Sequence, residues 1–385
     1  MVDNNVPCKM AIVHDWLDTY SGAEKVLEQI LALYPKADLF ALVDFLPDNQ
    51  RGFIQHRSVK TTFIQKLPFS RKHFRHYLGL MPIAIEQLDL SDYDVIISSS
   101  HAFAKSVITG PDQCHIAYIH SPIRYAWDMQ PAYLKAHNIE KGIKSLITRY
   151  LLHKIRIWDQ GTANRPDYYI ANSHYIQKRI QKVYGKPAHV IHPPVDTEKF
   201  TPKPEHNHYF VTVSRLVPYK KVDVIIQAFL DSPQRHLKII GDGPEYKRLL
   251  KKVNGAANIE LLGHVNDAQK TALLQNARAF VYAAQEDFGI SPVEAQACGL
   301  PVIAFGKGGV RDSVLEGQTG LFFEQQTPDS LIQAIERFEH DGVTHERSAI
   351  AQHAQNFSVD AFTSKLADFI NPKLPVIGPT FSESV

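Results

Sequence analysis

Short apolar runs that stop at loops carrying Gly, Ser, His or charged residues, and resume only after a helical stretch, recur from one end of this chain to the other. Lys9–Val13, Asp94–Ile97, His115–Ile119, Asp167–Asn172, Tyr209–Val213, Leu237–Ile240, Ile259–Val265, Ala279–Ala283, Pro301–Phe305 and Thr319–Phe323 are each too brief for a helix and rich in β-formers. Asp38–Val43 fits the same pattern. Strands alternating with helical segments predict an α/β fold of parallel, doubly wound sheets. Ligands of such sheets gather at the carboxyl ends of the strands, so the residues just after each run are the ones to read for chemistry.

At 385 residues the chain exceeds one ordinary core, and two domains of about 190 residues each are expected. Paired prolines in His189-Val190-Ile191-His192-Pro193-Pro194-Val195-Asp196 read as the linker between them. Hydrophobic residues make up 44% and charged residues 21%, as in soluble globular proteins. No apolar run approaches about 18 residues, and Met1–Asn5 lacks the basic-then-apolar form of a signal peptide. A cytoplasmic chain is expected. Cys8, Cys114 and Cys298 lie far apart, each in or beside an apolar run, and read as buried thiols rather than a disulfide or metal site.

Charge is divided unevenly. Residues 1–190 hold 23 Lys and Arg against 17 Asp and Glu, whereas residues 191–385 hold 19 against 23. Arg51, Arg57, Lys60, Lys66, Arg71, Lys72 and Arg75 fall in a stretch with no acidic residue between Asp48 and Glu86, interleaved with Phe53, Phe63, Phe69, Phe74 and Tyr77. Residues 139–160 read as a long helix with Ile143, Leu146, Ile147, Tyr150, Leu151, Lys154 and Trp158 on or near one side, and Lys141, Lys144, Arg149, Lys154 and Arg156 make it basic. Such a basic half is a candidate for an anionic membrane surface, or for cations that line an acceptor site. Single-stranded nucleic acid also suits cations mixed with aromatics, but the acidic second half argues against it.

Four post-strand segments carry candidate chemistry. After Ala279–Ala283 comes Glu286-Asp287-Phe288-Gly289-Ile290-Ser291-Pro292-Val293-Glu294. Ser291 is placed to cap a helix, with Pro292 at its first position and Glu294 three residues after the cap. Free N–H groups there would receive an anion, with a carboxylate on each side for hydroxyl groups. Taken alone, Glu294 is only a cap and Glu286 only a solvated loop charge. Ser21-Gly22-Ala23-Glu24 offers a second helix start after Lys9–Val13. Arg215 and Lys220, five residues apart beyond Tyr209–Val213, suit a diphosphate, the arginine as a fork and the lysine as a point charge. His120, one of 19 histidines, follows His115–Ile119 and leads into Arg124-Tyr125-Ala126-Trp127-Asp128, where Arg124 and Asp128 are placed to pair.

The Glu286–Glu294 stretch, with the Gly299-Leu300-Pro301-Val302-Ile303 that follows, resembles the donor-site signature of retaining glycosyltransferase family four. Its members use nucleotide sugars on a GT-B fold, two Rossmann-like parallel-sheet domains facing a cleft. The resemblance spans nearly the whole chain, most strongly from about 190 to 340. It implies an acceptor-binding domain over 1–195, onto which a helix at about 354–370 packs back. It further implies a nucleotide-sugar-binding domain over 196–353, while residues 371–385, rich in Pro and Gly with no helical period, read as a flexible tail.

By the same resemblance His120 contacts the donor sugar, Glu286 holds its hydroxyls and Glu294 the ribose. The backbone of Phe288, Gly289, Ile290 and Ser291 lies against sugar and phosphate, Val265 lies beside the base, and Arg215 and Lys220 meet the diphosphate. Family members often have Gly where Lys221 stands, leaving open which lysine reaches the phosphate, and they commonly have two glycines where this chain has Ser21-Gly22. The Arg124–Asp128 continuation is similar to a mannosyltransferase branch typified by O-antigen and exopolysaccharide enzymes. This implies transfer of mannose from GDP-mannose, or alternatively of another sugar from a UDP donor, to a saccharide or lipid-linked saccharide acceptor. Lipopolysaccharide or a related cell-surface polysaccharide is the implied product, made by a cytoplasmic enzyme resting peripherally on the inner face of the membrane. With no Asp-x-Asp donor loop and no His/Cys ligand set, no metal and no cofactor beyond the donor are expected. An epimerase or phosphorylase of the same fold is the rival enzyme.

Overall fold

A computed structural model of the chain describes residues 8–203 and 208–374. They form two compact units, Met1–His192 with Thr363–Val385, and Pro193–Phe362.

The first unit is built on seven parallel strands: β1 (Met10–His14), β2 (Asp38–Ala41), β3 (Val59–Thr61), β4 (Val95–Ser100), β5 (Cys114–Ile119), β6 (Tyr168–Ala171) and β7 (His189–Val190). Their order is β3-β2-β1-β4-β5-β6-β7. The chain therefore winds outward in both directions from the β1/β4 pair, which makes that pair the switch point where a doubly wound sheet opens a crevice at its carboxyl edge. β1 is buried along its whole length, which explains its continuous apolar run. The Gly22–Leu33 helix lays Val26, Leu27, Ile30 and Leu31 against the sheet, the 3.6-residue spacing its sequence shows.

Two strands escaped the sequence pattern. β3 lies inside the basic, aromatic stretch and pairs with β2. His189–Val190, expected to be linker, instead pairs with β6 as the edge strand β7. A two-residue strand has too little sequence to show a period.

The long helix runs from Ile143 to Gly161 and buries Ser145, Leu152, Ile155 and Asp159. The apolar row read from the sequence is on the other side: Ile143, Leu146, Ile147 and Tyr150 are 55–76% exposed. The helix is held by Leu152 and Ile155 in the core and by polar groups, with buried Lys105 Nζ 2.9 Å from Asp159 Oδ1 and Trp127 Nε1 donating to Asp159 at 2.7 Å. Of the seven cations between Arg51 and Arg75, four have local partners. Arg51 pairs with Asp44, Lys60 with Asp38 and Arg75 with Asp18, while Arg57 donates to the Ala37 carbonyl. Asp128 pairs with Arg179, 51 residues further along the chain.

The second unit carries six parallel strands: β8 (Tyr209–Val213), β9 (His236–Ile240), β10 (Ile259–Gly263), β11 (Ala279–Tyr282), β12 (Val302–Phe305) and β13 (Gly320–Phe323). Their order, β10-β9-β8-β11-β12-β13, puts the switch point between β8 and β11. The return to the first unit falls within the Val359–Ile370 helix. That helix begins later than the expected 354, because Arg347–Ala354 is a separate helix and Gln355–Phe357 a 3-10 turn between them. Its far end belongs to the first unit, where Phe369 stacks on His189 and Tyr34 donates to Asn371. Of the expected tail, Asn371–Lys373 forms a 3-10 turn. Its last residues, like Met1–Asn5, lie outside the described residues. No helix among the described residues is long and apolar enough to cross a membrane.

Candidate functional site

Each switch point gathers the polar residues that follow its strands. In the first unit, β1 ends in His14, β4 in Ser98-Ser99-Ser100, and β5 leads into His120, whose N–H donates to the Ser100 carbonyl at 2.8 Å. The His120 ring is 9% exposed. Burial pushes its pKa well below the ordinary histidine value, and His101 and His14 add to the shift, so the imidazole is neutral at pH 7. His101 stands 6.3 Å away, ring to ring, and is likewise lowered by burial.

Behind them the fully buried Asp15 carboxylate accepts four backbone N–H groups. Those of His101 and Ala102 reach Oδ2 at 2.6 and 2.9 Å, and those of Phe103 and Ala104 reach Oδ1 at 2.5 and 2.8 Å. That cap lies more than 80 residues from its donors in sequence. The expected helix start at Gly22 is present, but its environment is acidic: Glu24 Oε2 accepts the Ser21 backbone N–H at 2.9 Å and the Ser21 hydroxyl at 2.7 Å. The carboxylate satisfies an N–H group that an incoming phosphate would otherwise have used.

In the second unit, Glu286 leaves β11 and is held from both sides. Lys220 Nζ pairs with Oε1, and the Tyr282 hydroxyl donates to Oε2. Burial pushes the Tyr282 phenol far up, and the Glu286 charge adds to the shift, so Tyr282 remains a donor. Lys220 closes a 3-10 turn, Pro218–Lys220. Lys221 follows in the left-handed region at φ 56°. This gives a physical reason for the glycine that family members often carry there, since only glycine enters that region without strain. Arg215 is exposed, and its guanidinium has no hydrogen-bond or ion-pair partner among the described residues. It therefore keeps its full fork of donors.

The helix after Glu286 runs Ile290–Ala297 with Gly289, at φ 94°, as its N-cap. Ser291, expected to cap, is instead inside the first turn. The chain reverses at glycine one step earlier than the Ser-Pro pair suggests, because glycine alone reaches that φ cheaply. Glu294 consequently forms no capping box; it is 7% exposed and accepts from Lys270 Nζ at 3.3 Å. Phe288 is buried in the core against Phe357, Ile290 is half-buried, and Val265 packs on the same core.

The structure thus brings Lys220 and Glu286 into direct contact and leaves Arg215 and Lys221 on the same β8 loop. His120 and Gly22 belong to the first unit's edge. Sequence reading missed Tyr282, Ser99 and His14, and it noted Gly308-Gly309 only as a turn. A Cβ on Gly308 would lie 2.5 Å from the Glu286 carbonyl oxygen, and one on Gly309 2.2 Å from that of Asp287. These glycines are the wall on which the Glu286 loop rests. Adjacent glycines after a strand were the available signal.

Residues 21–199 match the family model "Glycosyltransferase Family 4", and residues 196–357 match "Glycosyl transferases group 1". An uncharacterized glycosyltransferase of Methanocaldococcus jannaschii is 33% identical over 197 residues, covering 50% of this chain and 55% of the relative. A GDP-mannose-dependent alpha-(1-6)-phosphatidylinositol monomannoside mannosyltransferase of Mycolicibacterium smegmatis is 30% identical over 192 residues, covering 42% and 50%. The chain spans about half the length of these curated relatives. Among solved structures, Anabaena HepE in complex with UDP superposes with a TM-score of 0.65 at 18% identity, covering 94% of this chain and 100% of that one. Sucrose-phosphate synthase of Thermosynechococcus elongatus gives 0.71 at 15%, covering 95% and 99%. At these identities the agreement is one of fold.

Proposed function

We propose that the chain is a GT-B glycosyltransferase of family four, as the two matching family models support, and that it transfers a sugar, mannose from GDP-mannose, to a saccharide or lipid-linked saccharide, with retention at the anomeric carbon. The observation that carries this reading is Glu286, one carboxylate fixed between Lys220 and Tyr282, with the exposed Arg215 on the same β8 loop as Lys220. A carboxylate so held accepts sugar hydroxyls, and the two cations neutralise a departing diphosphate without a metal. The acceptor attacks on the face from which the diphosphate leaves, and a phosphate oxygen takes its proton. Glu294 receives the ribose, Val265 lies beside the base, and neutral His120 meets the sugar.

The choice of GDP-mannose draws support from the GDP-mannose-dependent relative. A UDP-sugar is the second reading, favoured by the UDP-bound structural neighbour. Thermal unfolding with each nucleotide sugar separates them. A donor at a hundred times its Kd stabilises by about 2.7 kcal/mol, a shift of several degrees. A shift with UDP-glucose and none with GDP-mannose would move the assignment, and no shift with any nucleotide sugar would remove it.

The acceptor reading includes an anionic membrane surface met by the first unit. Its support is the exposed row Ile143, Leu146, Ile147 and Tyr150 flanked by Lys141, Lys144 and Lys154, with Phe69 82% exposed. Amphipathic helices that bind membranes carry such an apolar row between cations. Lys66, Arg71 and Lys72, whose side chains have no hydrogen-bond or ion-pair partner among the described residues, add to the positive face.

A further inference from the structure

Three side chains without a role in the proposed chemistry stand in a row behind His120. The β1/β4 register pairs His14 with Ser99, and the β4/β5 register pairs Ser100 with Ile119. Three adjacent strands at the switch point thus bring His14, Ser99 and His120 to one edge. Ser99 Oγ lies 2.8 Å from His120 Nε2 and 3.1 Å from His14 Nδ1, and His14 Nε2 lies 3.4 Å from Glu24 Oε1. His14 and Ser99 are 0% exposed and Glu24 is 3% exposed.

Donor and acceptor chemistry fixes where the hydrogens go. Burial pushes the Glu24 carboxyl up, but the hydrogen bond and charge of His14, with hydrogen bonds from Ser21 and its own backbone, outweigh it and bring the pKa to about 2. An ionised carboxylate only accepts, so His14 Nε2 carries a hydrogen. Where Nε2–H is the one hydrogen of the His14 ring, its Nδ1 is bare and Ser99 donates its single hydrogen there. The Ser99 oxygen is left to accept, and the group facing it is His120 Nε2–H. Among the described residues His120 Nδ1 has no hydrogen-bond partner.

We propose that Ser99, braced by His14 and Glu24, is the positioning residue of His120: it holds the ring with Nε2–H turned inward and presents a bare Nδ1 as acceptor for a hydroxyl of the bound sugar. The inference rests on the reading of His120 as a sugar contact. His101, whose ring is 6.0 Å from that of His14, and Asp15 stand beside the row without joining its hydrogen bonds.

Two measurements test it. Histidine-selective ¹⁵N labelling of the full chain near neutral pH, with His120→Gln supplying the assignment, should show His120 protonated at Nε2 and bare at Nδ1. A hydrogen on Nδ1 would overturn the proposal, and this result needs no folded Ser99 variant. In steady-state assays with the donor that thermal unfolding selects, Ser99→Ala should lower kcat about tenfold, the worth of one lost hydrogen bond. In a His120→Gln background the same change should cost nothing more, because residues acting through one another are not additive. Equal losses in both backgrounds, or none in the first, would show that Ser99 does not act through His120. A wild-type chain that transfers no sugar would sink the functional reading alone, and the imidazole signals would still decide the tautomer.

Discussion

Replacing Gly309 with alanine should abolish most donor turnover while leaving the second unit folded. The backbone itself accepts the change, since φ is −71°. Space does not: a Cβ would lie 2.2 Å from the Asp287 carbonyl oxygen and 2.4 Å from Phe288 Cα. Real Cβ contacts do not fall below 3.0 Å, so from 2.2 Å the facing backbone must retreat by about 0.8 Å. The part that retreats is the loop presenting Glu286, whose carbonyl now accepts the Gly309 N–H at 2.9 Å. A misplacement of about 1 Å costs on the order of 10²-fold in rate. Overpacking costs about 1–3 kcal/mol, or roughly 2–4 °C of Tm per kcal/mol for a unit of this size. Initial rates with GDP-mannose and a UDP-sugar, measured beside melting curves, give both numbers. Gly317→Ala is the control: at φ 73° with nothing within 4 Å of the new Cβ, it carries only left-handed strain of about 1–2 kcal/mol and should keep its rate. A folded Gly309→Ala variant with wild-type kcat/KM would refute the claim that these glycines set the position of Glu286.

Glu286→Gln, Lys220→Ala and His120→Ala should each cost about 10²-fold or more in turnover, as loss of one aimed charge contact does; wild-type rates from any folded member would take that residue out of the site. Turnover should persist in excess EDTA, because Arg215 and Lys220 meet the phosphate charge, and a strict Mg²⁺ or Mn²⁺ requirement would count against that assignment. Glu24, with its carboxyl lowered from 4.5 to about 2, should contribute on the order of 3 kcal/mol of stability. A depressed carboxyl pKa acts above its unfolded value and fades as pH falls from about 4.5 towards 2. Urea midpoints near pH 6 and pH 3 should therefore differ less in Glu24→Gln than in wild type, and an unchanged difference would contradict the carboxylate's role. Anionic liposomes should float the chain at low salt, and Ile143→Ser with Leu146→Ser and Ile147→Ser should release it; no flotation of wild type would remove the membrane face.

The fold was legible where a local period carries it. β1 is buried along its length and reads as an apolar run up to His14, and the Ser173 cap that opens the His174–Tyr184 helix lies within three residues of the N–H it accepts. What escaped depends on partners distant in sequence. Asp15 closes on amides 86 to 89 positions away, and Ser99 meets His120 only because β4 and β5 are neighbours in the sheet. The side of the Ile143–Gly161 helix that faces water was also hidden. Its spacing shows an apolar row, but the buried Leu152, Ile155 and Lys105–Asp159 pair show that the opposite side is the anchored one. In the loop after β11, residue types read from the sequence pointed to Glu286, which meets Lys220, whereas the cap slipped from Ser291 to Gly289 because backbone reversal at glycine outweighs a serine side chain.

The four amides closed by Asp15 stand outside any sheet ladder, yet one buried carboxylate holds them as a group. A loop amide ordinarily exchanges its hydrogen with solvent through small independent openings. Here each opening would leave a buried charge short of a donor, so residues 101–104 open together or not at all and should share one exchange rate close to that of β4. The edge beside His120 therefore keeps its shape without a ligand, and binding there has no loop to order.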